Sequence, residues 1–100
     1  MNMQQMMAQA QRMQRELQKA LRELEEKEFV ISKGGAVTVK MFGSGEITSV
    51  NIDEDAFEKE NKEMVEDLIA MAINEGLENI AAEKEAINER ITGQKGGFGF

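Results

Sequence analysis

The chain has 100 residues and a formal net charge of −7, and it contains no cysteine, histidine, tryptophan, tyrosine or proline. Those absences remove disulfides, thiol and imidazole chemistry and the usual zinc ligands, so no cofactor or metal is expected and most enzyme classes lose their reactive groups. Net acidity disfavours phosphate partners, yet the charge is segregated: residues 1–50 hold seven Lys/Arg against six Asp/Glu, and residues 51–100 hold five against thirteen.

From Asn2 to Glu26 the pattern predicts one amphipathic helix. Met3, Met6, Ala10, Met13, Leu17, Ala20 and Leu24 step by three and four, the a/d spacing of a seam that buries against a partner. Arg12, Arg15, Lys19 and Arg22 step the same way but fall on c and f positions, which point away from the seam into solvent. Such a row on a rigid rod matches a run of phosphates, because both are linear arrays of charge. The ordinary alternative is a solvated face, with Arg12/Glu16, Lys19/Glu23 and Arg22/Glu26 spaced for i,i+4 ion pairs. Met1, Met3, Met6 and Met7 crowd one end, where flexible thioethers suit loose packing or an adaptable binding surface.

Phe29 to Ser32 has the β-branched and aromatic content of a short strand, closed by Gly34-Gly35. Ala36 to Phe42 and Glu46 to Ile52 flank Gly43-Ser44-Gly45, and a two-residue turn at Ser44-Gly45 pairs Phe42 with Ile47, Val39 with Val50 and Val37 with Ile52. Val37, Val39, Met41, Val50 and Ile52 then share an apolar side, and Thr38, Lys40, Ser49 and Asn51 share the other. Phe42 and Ile47 remain on the polar side, as an isolated exposed contact or as part of a subunit interface. Asp53-Glu54-Asp55 closes the sheet; Asp53 is expected to cap a short helical turn through Phe57, since three adjacent acids lack the alternating oxygens of a calcium loop.

From Asn61, an expected N-cap, to Ile91 the chain reads as one long helix. Its buried stripe is Val65, Leu68, Ile69, Ala72, Ile73, Gly76, Leu77, Ile80, Ala81, Ile87 and Ile91, and Glu63, Glu66 and Asp67 suit the dipole at its start. A helix-interior glycine costs about 1 kcal/mol against alanine, so Gly76 predicts a close approach of another backbone. Residues 93–100, with four glycines, are expected to form a flexible tail outside a single 1–92 domain, with Phe98 and Phe100 as its only anchors.

At ~1.5 Å per residue the two helices span ~36 and ~45 Å, whereas six- or seven-residue strands span ~20 Å. Both helices therefore overhang the sheet and must cover each other as a projecting arm that carries the basic row. Two protomers joined through their small sheets make a central β-platform with two arms and a cleft that suits a rod-shaped ligand. The expected class is α+β: long N-terminal helix, three-stranded antiparallel sheet with a hairpin, long C-terminal helix. No stretch approaches the ~20 apolar residues of a membrane span and no signal-peptide run opens the chain, so a cytoplasmic location without membrane contact is expected.

The pieces MMAQAQRMQRELQKALRELEEKEF, GGAVTVKMFGSGEITSVNID and KEMVEDLIAMAINEGLENI, followed by a glycine-rich end, resemble the YbaB/EbfC family of bacterial nucleoid-associated proteins over nearly the whole chain. The resemblance lies in the order of helix, Gly-Gly, hairpin and helix, since the family has no catalytic motif. It implies a tweezer-like homodimer in the nucleoid that binds double-stranded DNA with little sequence preference. It also implies contacts on the helical arms, at the positions Arg12, Arg15, Lys19 and Arg22. The carry-over stops there: Lys84 and Arg90 stand among Glu78, Glu83, Glu85 and Glu89, and Lys95 is in the tail.

The leading function is thus a dimeric DNA-organising protein whose arms touch phosphates, without a small-molecule substrate. The alternative is a protein-interaction adaptor or holdase that uses its Met-rich arms to bind polypeptide, with binding that resists salt. An enzyme is not expected, because no nucleophile stands beside a base.

Overall fold

The computed structural model describes residues 2–93. Helix α1 (Met3–Glu26) begins at a capping box: Gln5 N–H donates to Asn2 Oδ1 (2.8 Å) and Asn2 N–H donates to Gln5 Oε1 (3.3 Å). Two donors at the helix start are thereby satisfied reciprocally. At its other end the hairpin tip supplies the missing donors. Ser44 N–H reaches the Glu25 carbonyl (3.2 Å) and Gly43 N–H the Lys27 carbonyl (2.8 Å). Only a glycine fits at position 43, where a Cβ would collide with the Leu24 carbonyl.

Strands β1 (Glu28–Lys33), β2 (Val37–Phe42) and β3 (Ile47–Ile52) form an antiparallel sheet in the order β1-β2-β3. Gly34 and Gly35, at φ 59° and 65°, make the first reversal, and positive φ at both central residues suits the twist of the strands it joins. Val37 pairs with Ile52 and Val39 with Val50, the register that the alternation predicts. A bulge then intervenes. Met41 pairs with Ile47, and Phe42 N–H donates to the Glu46 carbonyl (2.9 Å), so the turn holds three residues, Gly43 to Gly45, rather than two. Gly45 takes φ 94°. The expected Phe42/Ile47 pair does not form, and the extra residue in β3 turns Ile47 onto the Met41 side of the sheet.

Helix α2 (Lys62–Thr92) follows two single 3-10 turns, Glu54–Ala56 and Lys59–Asn61. Neither expected side-chain cap is made. Asp53 makes no capping bond to its turn, and Asn61 Nδ2 instead donates to the Ala56 carbonyl (3.3 Å). α2 packs on β1 and β2, and the core is Leu24, Phe29, Ile31, Ala36, Val37, Val39, Met41, Val65 and Ala72. Gly76 sits where a Cβ would meet Met41 Cε at 2.5 Å, Met41 Sδ at 2.7 Å and Ile31 Cδ1 at 2.9 Å, so the close neighbours are side chains and not the expected backbone. Leu77 and Ala81 are exposed, against expectation. At about 100° per residue they point roughly 140° and 180° away from Ala72, which faces the sheet.

The distal half of α2 packs on α1 to make the arm, and the molecule extends 69 × 20 × 16 Å. The expected seam is only partly covered. Leu17 and Leu24 are buried and Met13 and Ala20 half-buried, whereas Met3, Met6 and Ala10 are exposed because α1 continues past the end of α2. Gly93 closes α2 at φ 74°, its N–H bonded to the Glu89 carbonyl (2.8 Å). The rest of the expected tail, residues 94–100 with Phe98 and Phe100, lies outside the described residues.

Candidate nucleic-acid interface

Arg12, Arg15, Lys19 and Arg22 lie on α1, all four exposed along the same side. At about 100° per residue they fill an arc of roughly 80° centred opposite Leu17, and their Cα atoms span about 15 Å along the axis. Leu17 and Leu24 fix this orientation: their burial against the rest of the fold turns the opposite side of α1 to water. The expected pairs Arg12/Glu16, Lys19/Glu23 and Arg22/Glu26 are not formed. Among the described residues the ion pairs are Lys27–Glu83 (2.7 Å), Lys33–Glu75 (2.7 Å) and Lys62–Glu66 (2.9 Å). The first two tie α2 to the base of the arm and to the sheet. The four row cations take part in none of these pairs, so a ligand anion displaces only water from them.

Two shallow hollows run along one flank of the row, between the helices. One, of about 330 Å³, is lined by Gln9, Arg12, Met13, Glu16 and Ile91. The next, of about 270 Å³, is lined by Glu16, Lys19, Ala20, Glu23, Arg90 and Ile91. Arg90 thus stands beside Lys19, despite its acidic neighbours in sequence. Helical periodicity holds the signal that finds it, because Ile91 belongs to the buried stripe and carries Arg90 to the edge of the α1 contact. Lys84 is exposed on α2, and Lys95 lies outside the described residues. Residues 1–22 carry four cations and one acid, so the outer arm is locally basic on an acidic chain.

At the opposite end, β3 is one of the two edge strands of the sheet, and α2 packs mainly on β1 and β2 and meets β3 only near Ile52. Ile47 and Val50 are 42% and 45% exposed although they lie on the helix-facing side, and Phe57 is 76% exposed. An apolar hollow of about 440 Å³ adjoins them, lined by Ile52, Ala56, Phe57, Val65 and Ile69 with Glu58, Lys59, Lys62 and Glu66 at its rim. No described helix is long and apolar enough to cross a membrane.

The YbaB/EbfC DNA-binding family matches residues 1–95. A nucleoid-associated protein of Clostridium novyi is 49% identical over 96 residues, covering 93% of this chain and 82% of that protein. A nucleoid-associated protein of Malacoplasma penetrans is 36% identical over 89 residues, covering 89% and 95%. The crystal structure of an uncharacterized protein from Helicobacter pylori superimposes with a TM-score of 0.72 at 22% identity, covering 92% of this chain and 98% of that one, and so shares the fold. On the family match and the identity of these relatives, the chain belongs to the YbaB/EbfC DNA-binding family.

Proposed function

We propose that this protein binds double-stranded DNA as a homodimer with little sequence preference, gripping phosphates with Arg12, Arg15, Lys19 and Arg22 on each arm. The observation that carries this reading is the row itself: four cations on the solvent side of a rigid helix, none engaged in an ion pair among the described residues. Long flexible cations spaced by three and four residues suit phosphate oxygens, which position a protein on DNA without reporting sequence. Arg90, beside Lys19, adds a fifth cation to the flank. The exposed apolar side of β3, with the hollow beside Phe57, supports joining of two protomers at the sheet end, which leaves both arms free. Association with the nucleoid follows from DNA binding of this kind, and nucleoid-associated relatives support it.

Engagement of five to eight phosphates per dimer makes the logarithm of affinity fall with the logarithm of salt at a slope of about −5 to −7. Binding of a mixed-sequence duplex of about 30 base pairs across a salt series measures that slope. Replacing Arg12, Arg15, Lys19 and Arg22 together by glutamine is expected to flatten it and weaken binding at all salts. An unchanged slope would remove the row as the contact surface. The exposure of Met3, Met6 and Met7 favours one other reading, an adaptor that holds polypeptide on its arm tips. Salt-resistant binding of an unfolded polypeptide, without DNA binding at low salt, would select it.

A further inference from the structure

The apolar seam of α1 outlasts the helix that covers it. Ile91 sits beside Met13, Glu16 and Ala20, and α2 closes two residues later at Gly93. Beyond that level α1 runs on to Met3, a further 15 Å or so at about 1.5 Å per residue. The seam positions there, Met3, Met6 and Ala10, lie within about 40° of Leu17 around the helix. Leu17 is buried, yet all three are exposed, Met3 at 76% and Met6 at 58%. The capping box at Asn2 and Gln5 keeps the stretch helical to its end. Residues 2–11 carry no charged side chain, so this length of α1 neither grips a phosphate nor repels a copy of itself.

α2 runs antiparallel to α1, as the Lys27–Glu83 ion pair at the arm base and the Ile91 contact further out require. A helix that takes over the seam from α2 therefore starts near Gly93 and runs outward. The outer end of a second α1 does this when the two lie antiparallel, because its first residues then stand level with Met13. We infer that residues 3–13 of α1 pair antiparallel with residues 3–13 of a second copy of this chain, belonging to another dimer. The a/d positions then serve α2 along the inner arm and the second copy along the outer arm. In this register Met6 faces Ala10 of the second copy, a long side chain against a short one, and flexible thioethers fill the ends of the joint at Met3 and Met13. Roughly eleven residues a side, against about 20–30 in a standard interface, make a single contact weak, so it forms where dimers are crowded. The cation rows stay out of the joint. They are centred opposite Leu17, so those of two joined chains face away from each other across two helices, about 20 Å thick. Joined tips therefore hold one duplex on each side. That consequence rests on DNA binding by the rows, whereas the tip contact itself does not.

The chain has no cysteine, so designed pairs report proximity without background. Full-length Met6→Cys and Ala10→Cys proteins, purified separately, are mixed without DNA under mild oxidation. Their mixed disulfide is expected to form at least about tenfold faster than that between Gln4→Cys and Ala10→Cys, because Gln4 lies roughly 160° from Met6 around α1. Its rate is expected to rise with protein concentration. Equal rates for the two pairs overturn pairing of the seams, and faster linking of Met6→Cys to itself overturns the antiparallel register. A rate independent of concentration overturns a link between dimers. Removal of residues 94–100 is expected to leave the rate unchanged; a rise of about tenfold would mean that the chain's own end fills the seam, and overturns the second copy as occupant. Bridging is measured separately, with Met3→Gln and Met6→Gln together, a change that keeps helix propensity. Binding of one duplex of about 30 base pairs is expected to stay within about twofold, while capture of a free duplex by an immobilised one falls at least about fivefold. Unchanged capture overturns the bridging role, and equal losses in both assays overturn it by placing the tips on DNA. Failure of the unsubstituted protein to bind any duplex refutes DNA binding by the rows, and the disulfide rates still decide the tip contact.

Discussion

Gly43 and Gly76 are both crowded, but what crowds them differs. Against Gly43 stands the Leu24 carbonyl, held in place because the same turn of α1 accepts hydrogen bonds from the hairpin tip. Against Gly76 stand the flexible end of Met41 and one methyl of Ile31, which can move. Gly43→Ala must therefore separate the hairpin tip from α1 and is expected to cost about 3 kcal/mol or more, at the upper end for an overpacked site. Gly76→Ala overpacks the core by about 2 kcal/mol but recovers about 1 through helix propensity, for a net loss of about 1 kcal/mol. Urea midpoints at unchanged m-value measure both. A larger loss at Gly76 than at Gly43 would show that the hairpin tip is not rigidly held. The need for glycine at 76 was legible, since an interior helical glycine requires a reason; that at 43 was hidden behind its ordinary use in a turn.

Among the elements, β3 stands apart. Val50 and Ile52 fall on the core-facing side and the bulge turns Ile47 to join them, yet Ile47 and Val50 stay exposed because α2 lies over β1 and β2. In an isolated protomer Val50→Glu is a surface change worth within about 0.5 kcal/mol. Across a dimer platform it buries an unpaired carboxylate, a cost of several kcal/mol that dissociation avoids. The variant is expected to keep its helical circular dichroism while sedimenting as a monomer; a variant that sediments like the parent would move the platform away from β3. The strands and their register were readable because period-two alternation survives any tertiary arrangement. The bulge was not, since it depends on a third turn residue and on Gly45 taking φ 94°. Nor was the covered length of the α1 seam, because the repeat shows which side is apolar but not where a helix some seventy residues away stops. The row of cations was legible for the same reason as the seam, being its complement on one helix; for Arg90 the stripe at Ile91 gave the side of α2, and only the packing of the two helices gave Lys19 as its neighbour.

On the scale of the whole molecule the charge is polarised along a 69 Å axis. Residues 1–22 carry three of excess positive charge, and the remainder of the chain carries the acidic balance, much of it on α2. DNA lying along the cation row therefore also feels Glu78, Glu85 and Glu89, which are exposed and form no ion pair among the described residues. Each such charge at about 15 Å from a phosphate opposes binding by about 0.3 kcal/mol in water, and the three together by about 1 kcal/mol when unscreened. The Debye length shortens from about 30 Å at 0.01 M salt to about 10 Å at 0.1 M, so this opposition fades just where counterion release is weakening the attraction. Screening over about 15 Å leaves roughly 0.6 of that at 0.01 M salt and almost none at 0.3 M, so replacing the three glutamates by glutamine is expected to tighten DNA binding about two- to threefold at 0.01 M and by less than about 1.2-fold at 0.3 M, and so to steepen the salt slope. The glutamine variant of the cation row moves the slope the other way. A gain from the glutamate substitutions that is the same at every salt would mean that these carboxylates touch the DNA directly, placing α2 rather than α1 against the duplex.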